Sequence, residues 1–534
     1  MYKYLFGLLL LGIVVLVHEF GHFLVARLCG VRVDAFSIGF GKVLFKKKIG
    51  DTEYRISLFP LGGYVKMLGE STSEENDIGE KDIPFAFSSK KWWQKVLIVA
   101  AGPVFNMIFA FFVFMAVSFF QFSAPASVLE FVSPDGAAYA AGISDGDRIV
   151  EIQGKQIAVW EDISLAAATV SDDGKCSEIS VKVEKAFTKE IKTYTFAPKK
   201  GTYTDLFGDI QNRCELGVVR FPREPKIFLL NDFQGLENGD TVLSVDGEAI
   251  SRYYELAERI RKPFRKMVVM RDRKEITVDF PENAFEEMKI AYGGLIISSV
   301  EKGSYSEKVG IRKGDFITAV NDLQVTAPFQ FYTIMEKLKE GDAVKLGIIR
   351  DGELQHVEFI ASFDEKENDM TGLRDKRINW GAYFDVDYAD EVYAKRNNLL
   401  TFPVKYAADR IVEVISSTFK GFAYMVRGKI SAKGLGGPIM IFDISKRAAD
   451  AGIQFFLSIM AMISVNLGLI NLFPIPVLDG GYVVIYGIEG ICRKVIPAKI
   501  KEKALYVGLF LLCALMVFAI FNDFTRYIPK IFKP

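Results

Sequence analysis

The sequence predicts a polytopic α-helical membrane protein with four spans. It adds a β-rich connection on the cytoplasmic side and an external α+β region. Three observations carry this fold class. Four apolar stretches each approach the ~20 residues that a helix needs to cross a bilayer core. Half of the 534 residues are apolar while a quarter are charged, the mixture of membrane segments joined to water-exposed parts. A glycine–aspartate pattern recurs three times between the second and third stretches.

The spans are read as Tyr4 to Leu28, Val96 to Phe122, Ile453 to Phe473 and Leu505 to Phe521. The first is too long for a signal peptide and lacks a small-residue cleavage site. It is read as a retained helix. Lysine and arginine near span ends set orientation. The connection between spans one and two carries Lys42, Lys46, Lys47, Lys48, Lys90, Lys91 and Lys95, and the one between spans three and four carries Arg493, Lys494, Lys499, Lys501 and Lys503. Both connections are therefore expected in the cytoplasm, with the termini and the long middle region outside. Arg526, Lys530 and Lys533 argue mildly against that placement of the C-terminus.

Composition excludes two classes. Sixty-six basic against 66 acidic residues leave no basic surface for nucleic acid. Five cysteines cannot staple a chain of this length into a disulfide scaffold.

Only three histidines occur, and two of them lie in the first span, in Val17-His18-Glu19-Phe20-Gly21-His22. Ionisable residues inside a span are costly and point to function. On a helix, His18 and His22 share one face a turn apart and suit one zinc ion. Glu19 lies beside them, where it can take a proton from an attacking water and pass it to a leaving amine. His356, in the polar middle region, reads as a surface residue.

A catalytic zinc takes three protein ligands and keeps one position open. No third histidine is near a span, and spans two and four hold no acid. Around span three the acid available is Asp479, in Asn471-Leu-Phe-Pro-Ile-Pro-Val-Leu-Asp479-Gly-Gly481. Its two prolines must break the helix, which is tolerated at membrane depth where backbone lines a cavity. The bland alternative for Asp479 is a turn or cap residue.

His18-Glu19-Phe20-Gly21-His22 together with Asn471 to Gly481 resembles the site-2 protease family of intramembrane zinc metalloproteases. Gly102-Pro103-Val104-Phe105-Asn106, Gly436-Gly437-Pro438-Ile439 and Phe521-Asn522-Asp523-Phe524 add to the resemblance. It covers roughly residues 1–125 and 425–530. It implies Zn2+ as cofactor, His18, His22 and Asp479 as its ligands, Glu19 as general base, and Asn471 as a substrate-binding residue. It also implies a single-span membrane protein as substrate, either an anti-sigma factor already cut on its external side or a remnant signal peptide. Asn106 and Asn466 are read as packing or bridging residues between spans.

Strands are expected at Val31 to Phe40, Val43 to Ile49 and Tyr54 to Met67, with turns at Gly39, Gly41, Gly50, Gly62 and Gly63. In the resembled family this region is a membrane-associated sheet near the active site. A strand edge there would hold an unwound substrate; a plain structural hairpin is the alternative. The following Gly69 to Pro84 reads as an acidic, solvated loop.

The repeat starts at Gly142, Gly235 and Gly310, each time with a Gly-Asp turn and a short apolar strand. Helices are expected after each copy, at Val159 to Ala168, Ser251 to Ile260 and Ala327 to Leu338. The pattern resembles the bacterial PDZ domain, which binds peptide C-termini by adding a strand. Relatives of the resembled family carry two such domains, whereas three are read here. The second copy has a short lead-in, so its groove is expected to be shortened or absent. Cys176 and Cys214 both fall in the first copy, where a disulfide or two free thiols remain open. Val392 to Ile430 reads as amphipathic helices on the outer membrane surface, contacting lipid.

The expected division is residues 1–30 (first span), 31–95 (β-region and loop), 96–122 (second span), 123–222, 223–288 and 289–385 (PDZ-like domains), 386–450 (amphipathic linker), 451–484 (third span with the proline break) and 485–534 (connection, fourth span, tail). The rival classes are a non-catalytic scaffold tethering partners through PDZ domains and a metal transporter. A transporter needs several acidic or histidine residues along a path through the spans, and spans two and four have none.

Overall fold

A computed structural model describes residues 3–70, 78–120, 123–168, 171–172, 175–204, 210–231, 233, 235–281, 284–367, 374–378, 380–386, 390, 392–395, 401–428 and 435–531. The chain divides into two compact units. One comprises residues 1–122, 369–372 and 398–534; the other comprises 123–368 and 373–397.

Among the described residues, four helices of the first unit are long and apolar enough to cross a membrane: Phe6–Leu28, Trp92–Phe120, Ile453–Asn471 and Lys499–Thr525. Their number matches the expectation. The fourth lies in a longer helix, Ala498–Ile531, because its basic first turns are good helix formers. The third stops at Asn471, and a new helix, Asp479–Cys492, begins after the proline segment. The expected cytoplasmic connection from residue 485 therefore starts as helix.

Leu10 and Val14 of the first helix meet Ala110, Phe114 and Val117 of the second and Met460, Ala461 and Val465 of the third in one core. Glycines set how closely these helices approach. A Cβ on Gly21 would lie 2.5 Å from the Ala101 carbonyl oxygen, and one on Gly468 would lie 2.9 Å from that of Pro103. The linker is one amphipathic helix, Thr401–Val426, followed by Pro438–Asp450. Phe419 and Phe422 pack on Phe473, at the start of the proline segment.

The β-region consists of Val33–Ile49 and Thr52–Met67, folded back on themselves. Residues 43–49 pair with 52–57, residues 53–56 also pair with 35–38, and 33–38 pair with 63–67. The segment Tyr54 to Met67 occupies two ladder positions, divided near the turn expected at Gly62 and Gly63. Pro60 cannot donate to a ladder, and Gly62-Gly63 accept the bend. Residues 63–67 form an outer edge. Of the loop Gly69 to Pro84, residues 71–77 lie outside the described residues.

The second unit repeats one construction three times. Its four-stranded sheets are Lys155–Gln156, Arg148–Ile152, Ile179–Glu184, Ile191–Phe196; then Glu248–Ala249, Thr241–Val245, Lys266–Arg271, Lys274–Asp279; then Leu323–Gln324, Phe316–Val320, Ala343–Arg350, Glu353–Ile360, in matching spatial order. Helices Trp160–Ala168, Tyr253–Arg259 and Pro328–Glu336 follow the short strands, close to the expected ranges. Each copy also has a separate two-stranded ladder. A strand from after the sheet pairs with one from before it: Val218–Val219 with Phe131–Val132, Ile290–Tyr292 with Ile227–Leu229, and Ala382–Phe384 with Ile297–Val300.

The repeated Gly-Asp pair has a structural cause. Asp147, Asp240 and Asp315 are each 1% exposed. Each carboxylate accepts a backbone N–H three residues earlier, from Ser144, Glu237 and Arg312 at 2.8–2.9 Å. Each also holds a cation: Lys185 at 2.6 Å, Arg271 at 2.6 Å and Arg350 at 2.7 Å. Cys176 and Cys214 form a disulfide. His356 is exposed on an outer strand, as expected.

Candidate metal centre

The first helix carries His18 and His22 one turn apart, and both are buried. Their Nε2 atoms lie 3.2 Å from each other. Oδ2 of Asp479 lies 3.1 Å from Nε2 of His18 and 3.6 Å from Nε2 of His22. The three candidate ligand groups thus converge, with their ligand atoms within 4.8 Å of one another.

Local backbone explains why Asp479 arrives there. Pro474 and Pro476 end the helical ladder after Asn471. Val477 then takes φ +98°, a conformation that costs a β-branched residue about 1–3 kcal/mol. That turn starts the new helix with Asp479 as its first residue. Gly480 and Gly481 close the turn, since Cβ atoms there would lie 2.3–2.4 Å from the carbonyl oxygens of Leu472, Phe473 and Ile475.

Room for the site comes from the second helix. A Cβ on Gly102 would lie 2.3 Å from Nε2 of His22 and 2.8 Å from Cε1 of His18. The spacing of Gly102 from the histidine motif carries no sequence signal for this role; only the helix crossing does. Glu19 sits on the same turn as the histidines, beside the outer strand: a Cβ on Gly63 would lie 3.0 Å from Cγ of Glu19. Asn471 points its amide at Nε2 of His18, 3.4 Å away. Asn466 is 2.7 Å from the Thr418 hydroxyl and joins two helices. Asn106, read from sequence as a residue that packs or hydrogen-bonds between spans, faces Nδ1 of His18 at 3.3 Å. Its four-residue offset from Gly102 puts both on one helix face, which was the available signal.

Whether a cation fits can be tested on hydrogen positions. Nδ1 of His22 lies 2.9 Å from the Ile98 carbonyl, so that nitrogen carries the proton and donates it. Nε2 of His22 is then a lone pair facing Asp479. Oδ2 of Asp479 is buried and without a hydrogen bond. Acceptors facing one another in a buried site lack only a positive charge between them. Two imidazoles and one carboxylate are also the donor set of an open, catalytic zinc site. The residues fit the ion.

Apolar helices enclosing two histidines, an aspartate and a glutamate define a class, the membrane metallopeptidases. Comparison with known proteins makes the assignment particular: peptidase family M50 matches residues 6–515, and the chain belongs to that family. It is 30% identical to the regulator of sigma-E protease RseP of Escherichia coli, over 97% of both chains. It is 28% identical to the regulator of sigma E protease of Haemophilus influenzae, again over 97% of both. A Vibrio cholerae protein named as a zinc metalloprotease is 29% identical over 98% of this chain and 99% of its own. The protein is a site-2 type zinc metalloprotease, and its cofactor is Zn2+.

Proposed function

We propose that this enzyme cuts a single-span membrane protein within or beside the bilayer, with His18, His22 and Asp479 holding the zinc and Glu19 acting as general base. The observation that carries the reading is the convergence of three ligand atoms within 4.8 Å beside Glu19. When bound, zinc lowers the pKa of water and polarises a carbonyl. The chain supplies the rest. Glu19 takes the proton of the attacking water at its carboxylate and returns it to the departing amine. Asn471 offers an amide N–H to the substrate carbonyl. The outer strand, residues 63–67, offers backbone groups to a substrate that must unwind, because a helix hides its peptide bonds.

The proposal includes topology. The basic connections face the cytoplasm, the termini and the repeated unit lie outside, and the site sits in the cytoplasmic half of an inner membrane. The three copies are PDZ-like domains over residues 123–222, 223–288 and 289–385. They admit substrates already trimmed outside, of the anti-sigma factor type, or remnant signal peptides, and the first and third copies bind peptide C-termini. Their common order of strands and helix supports that reading.

Glu19→Gln tests the chemistry. The variant should keep one zinc per chain while cleavage of a single-span reporter falls by about 10²–10⁴-fold. Zinc content and reporter cleavage are measured on the same purified protein. Cleavage at the unmodified rate would overturn the role of Glu19.

A further inference from the structure

Asn106 lies on helix Trp92–Phe120 and is wholly buried. Its main-chain carbonyl accepts the Ser464 hydroxyl at 2.9 Å, which pins that turn to helix Ile453–Asn471. Its Nδ2 stands 3.3 Å from Nδ1 of His18, while its Oδ1 has no hydrogen-bond partner. A buried acceptor left unpaired destabilises the fold. Packing gives no reason to keep it, since leucine has a similar shape and no orphan atom.

The oxygen and nitrogen of a side-chain amide occupy nearly equivalent places, and half a turn exchanges them. After that half turn, Oδ1 of Asn106 faces Nδ1 of His18 and accepts its proton. The oxygen then gains a donor and the His18 proton sits on Nδ1, while the amide N–H groups take the place the oxygen left. The lone pair of His18 is left on Nε2, the atom 3.1 Å from Asp479. His22 already has this arrangement with the Ile98 carbonyl. Ligand histidines characteristically donate their other ring N–H to such a partner, which fixes ring orientation and raises ligand basicity.

We propose that Asn106 is a positioning residue that accepts the Nδ1 proton of His18 and so presents Nε2 to the metal. This rests on the reading of His18 as a ligand. The test therefore measures metal binding and not activity. Full-length protein in detergent is stripped and titrated with Zn2+ and, for a visible spectrum, with Co2+. Asn106→Leu should bind Zn2+ about 10–100-fold more weakly and alter the Co2+ absorption bands, with metal-free thermal unfolding unchanged. Asn106→Asp, which keeps an acceptor oxygen at the same reach, should restore affinity to within a few-fold of the native protein. Asn106→Ala repeats the loss without a branched side chain if the leucine variant does not fold.

Native affinity in both the leucine and alanine variants would overturn the proposal. So would equal weakening by leucine and aspartate, the mark of a packing role. His18→Ala separates the two levels. If it binds metal as the native protein does, the ligand reading fails, and the Asn106 proposal with it. If it loses metal while Asn106→Leu does not, only the Asn106 proposal fails.

Discussion

Asp479 and Asp315 are both largely withdrawn from water, yet their surroundings are opposite. Asp315 accepts the Arg312 N–H at 2.8 Å and both arms of the Arg350 guanidinium at 2.7 Å. Asp147 and Asp240 repeat the pattern with Lys185 and Arg271. Asp479 instead faces two imidazole nitrogens, and its Oδ2 makes no hydrogen bond. A buried carboxylate given a cation and an N–H by its own chain is finished; it stabilises a fold. One surrounded by lone pairs is incomplete until a cation arrives. The second kind marks chemistry, and the first marks architecture.

Exchanging the two losses should break the comparison if it is wrong. Asp479→Ala should lower Zn2+ affinity by at least about 100-fold, since one of three ligands is gone, while the metal-free protein unfolds no earlier than before. Asp315→Ala should leave zinc untouched but strand Arg350 and the Arg312 N–H, at a cost of about 3–5 kcal/mol. Hydrogen exchange on the full chain would show that loss in the third copy, residues 289–385. A metal-free Asp479→Ala protein as destabilised as Asp315→Ala would show that Asp479 is architectural too.

How much of this was legible follows from the same contrast. Hydrocarbon penalises every polar group, so His18, Glu19 and His22 stood out in an apolar span, and elimination reached Asp479. Gly102 and Asn106 stood out only within the motif Gly102 to Asn106, without a role at the metal. Glycine and asparagine are tolerated between helices, and their roles appear only where one helix crosses another at a particular turn. In the external unit the Gly-Asp motif was legible as a repeat, because its aspartate builds the same staple three times. The pairing of Cys176 with Cys214 stayed undecided because a spacing of 38 residues does not say whether two cysteines come within bonding reach. The bend that splits Tyr54 to Met67 was legible as the turn expected at Gly62 and Gly63, but the new ladder position of the segment after it was not, because that depends on which strand it meets.

The mildest test of the comparison uses a buried group that is neither stapled to a carboxylate nor aimed at a metal. Tyr253 packs against Tyr292 and under the Arg223 guanidinium. Burial pushes its hydroxyl up to about 12, although Arg223 opposes the shift. The unfolded chain releases this proton near pH 10 and the folded chain near pH 12. The folded state therefore binds the proton more tightly. Its contribution is fully present below pH 10 and is lost as pH rises from 10 to 12, by up to ~3 kcal/mol at ~1.4 kcal/mol per unit. Tyr253→Phe cannot titrate, so its stability should fall less across that window than the native protein's, while the two zinc affinities agree at neutral pH. Equal alkaline loss in both proteins would mean that Tyr253 ionises as freely folded as unfolded. Burial beside a cation would then carry no penalty in this unit, and the contrast between finished and incomplete polar groups would have to rest on the aspartates alone.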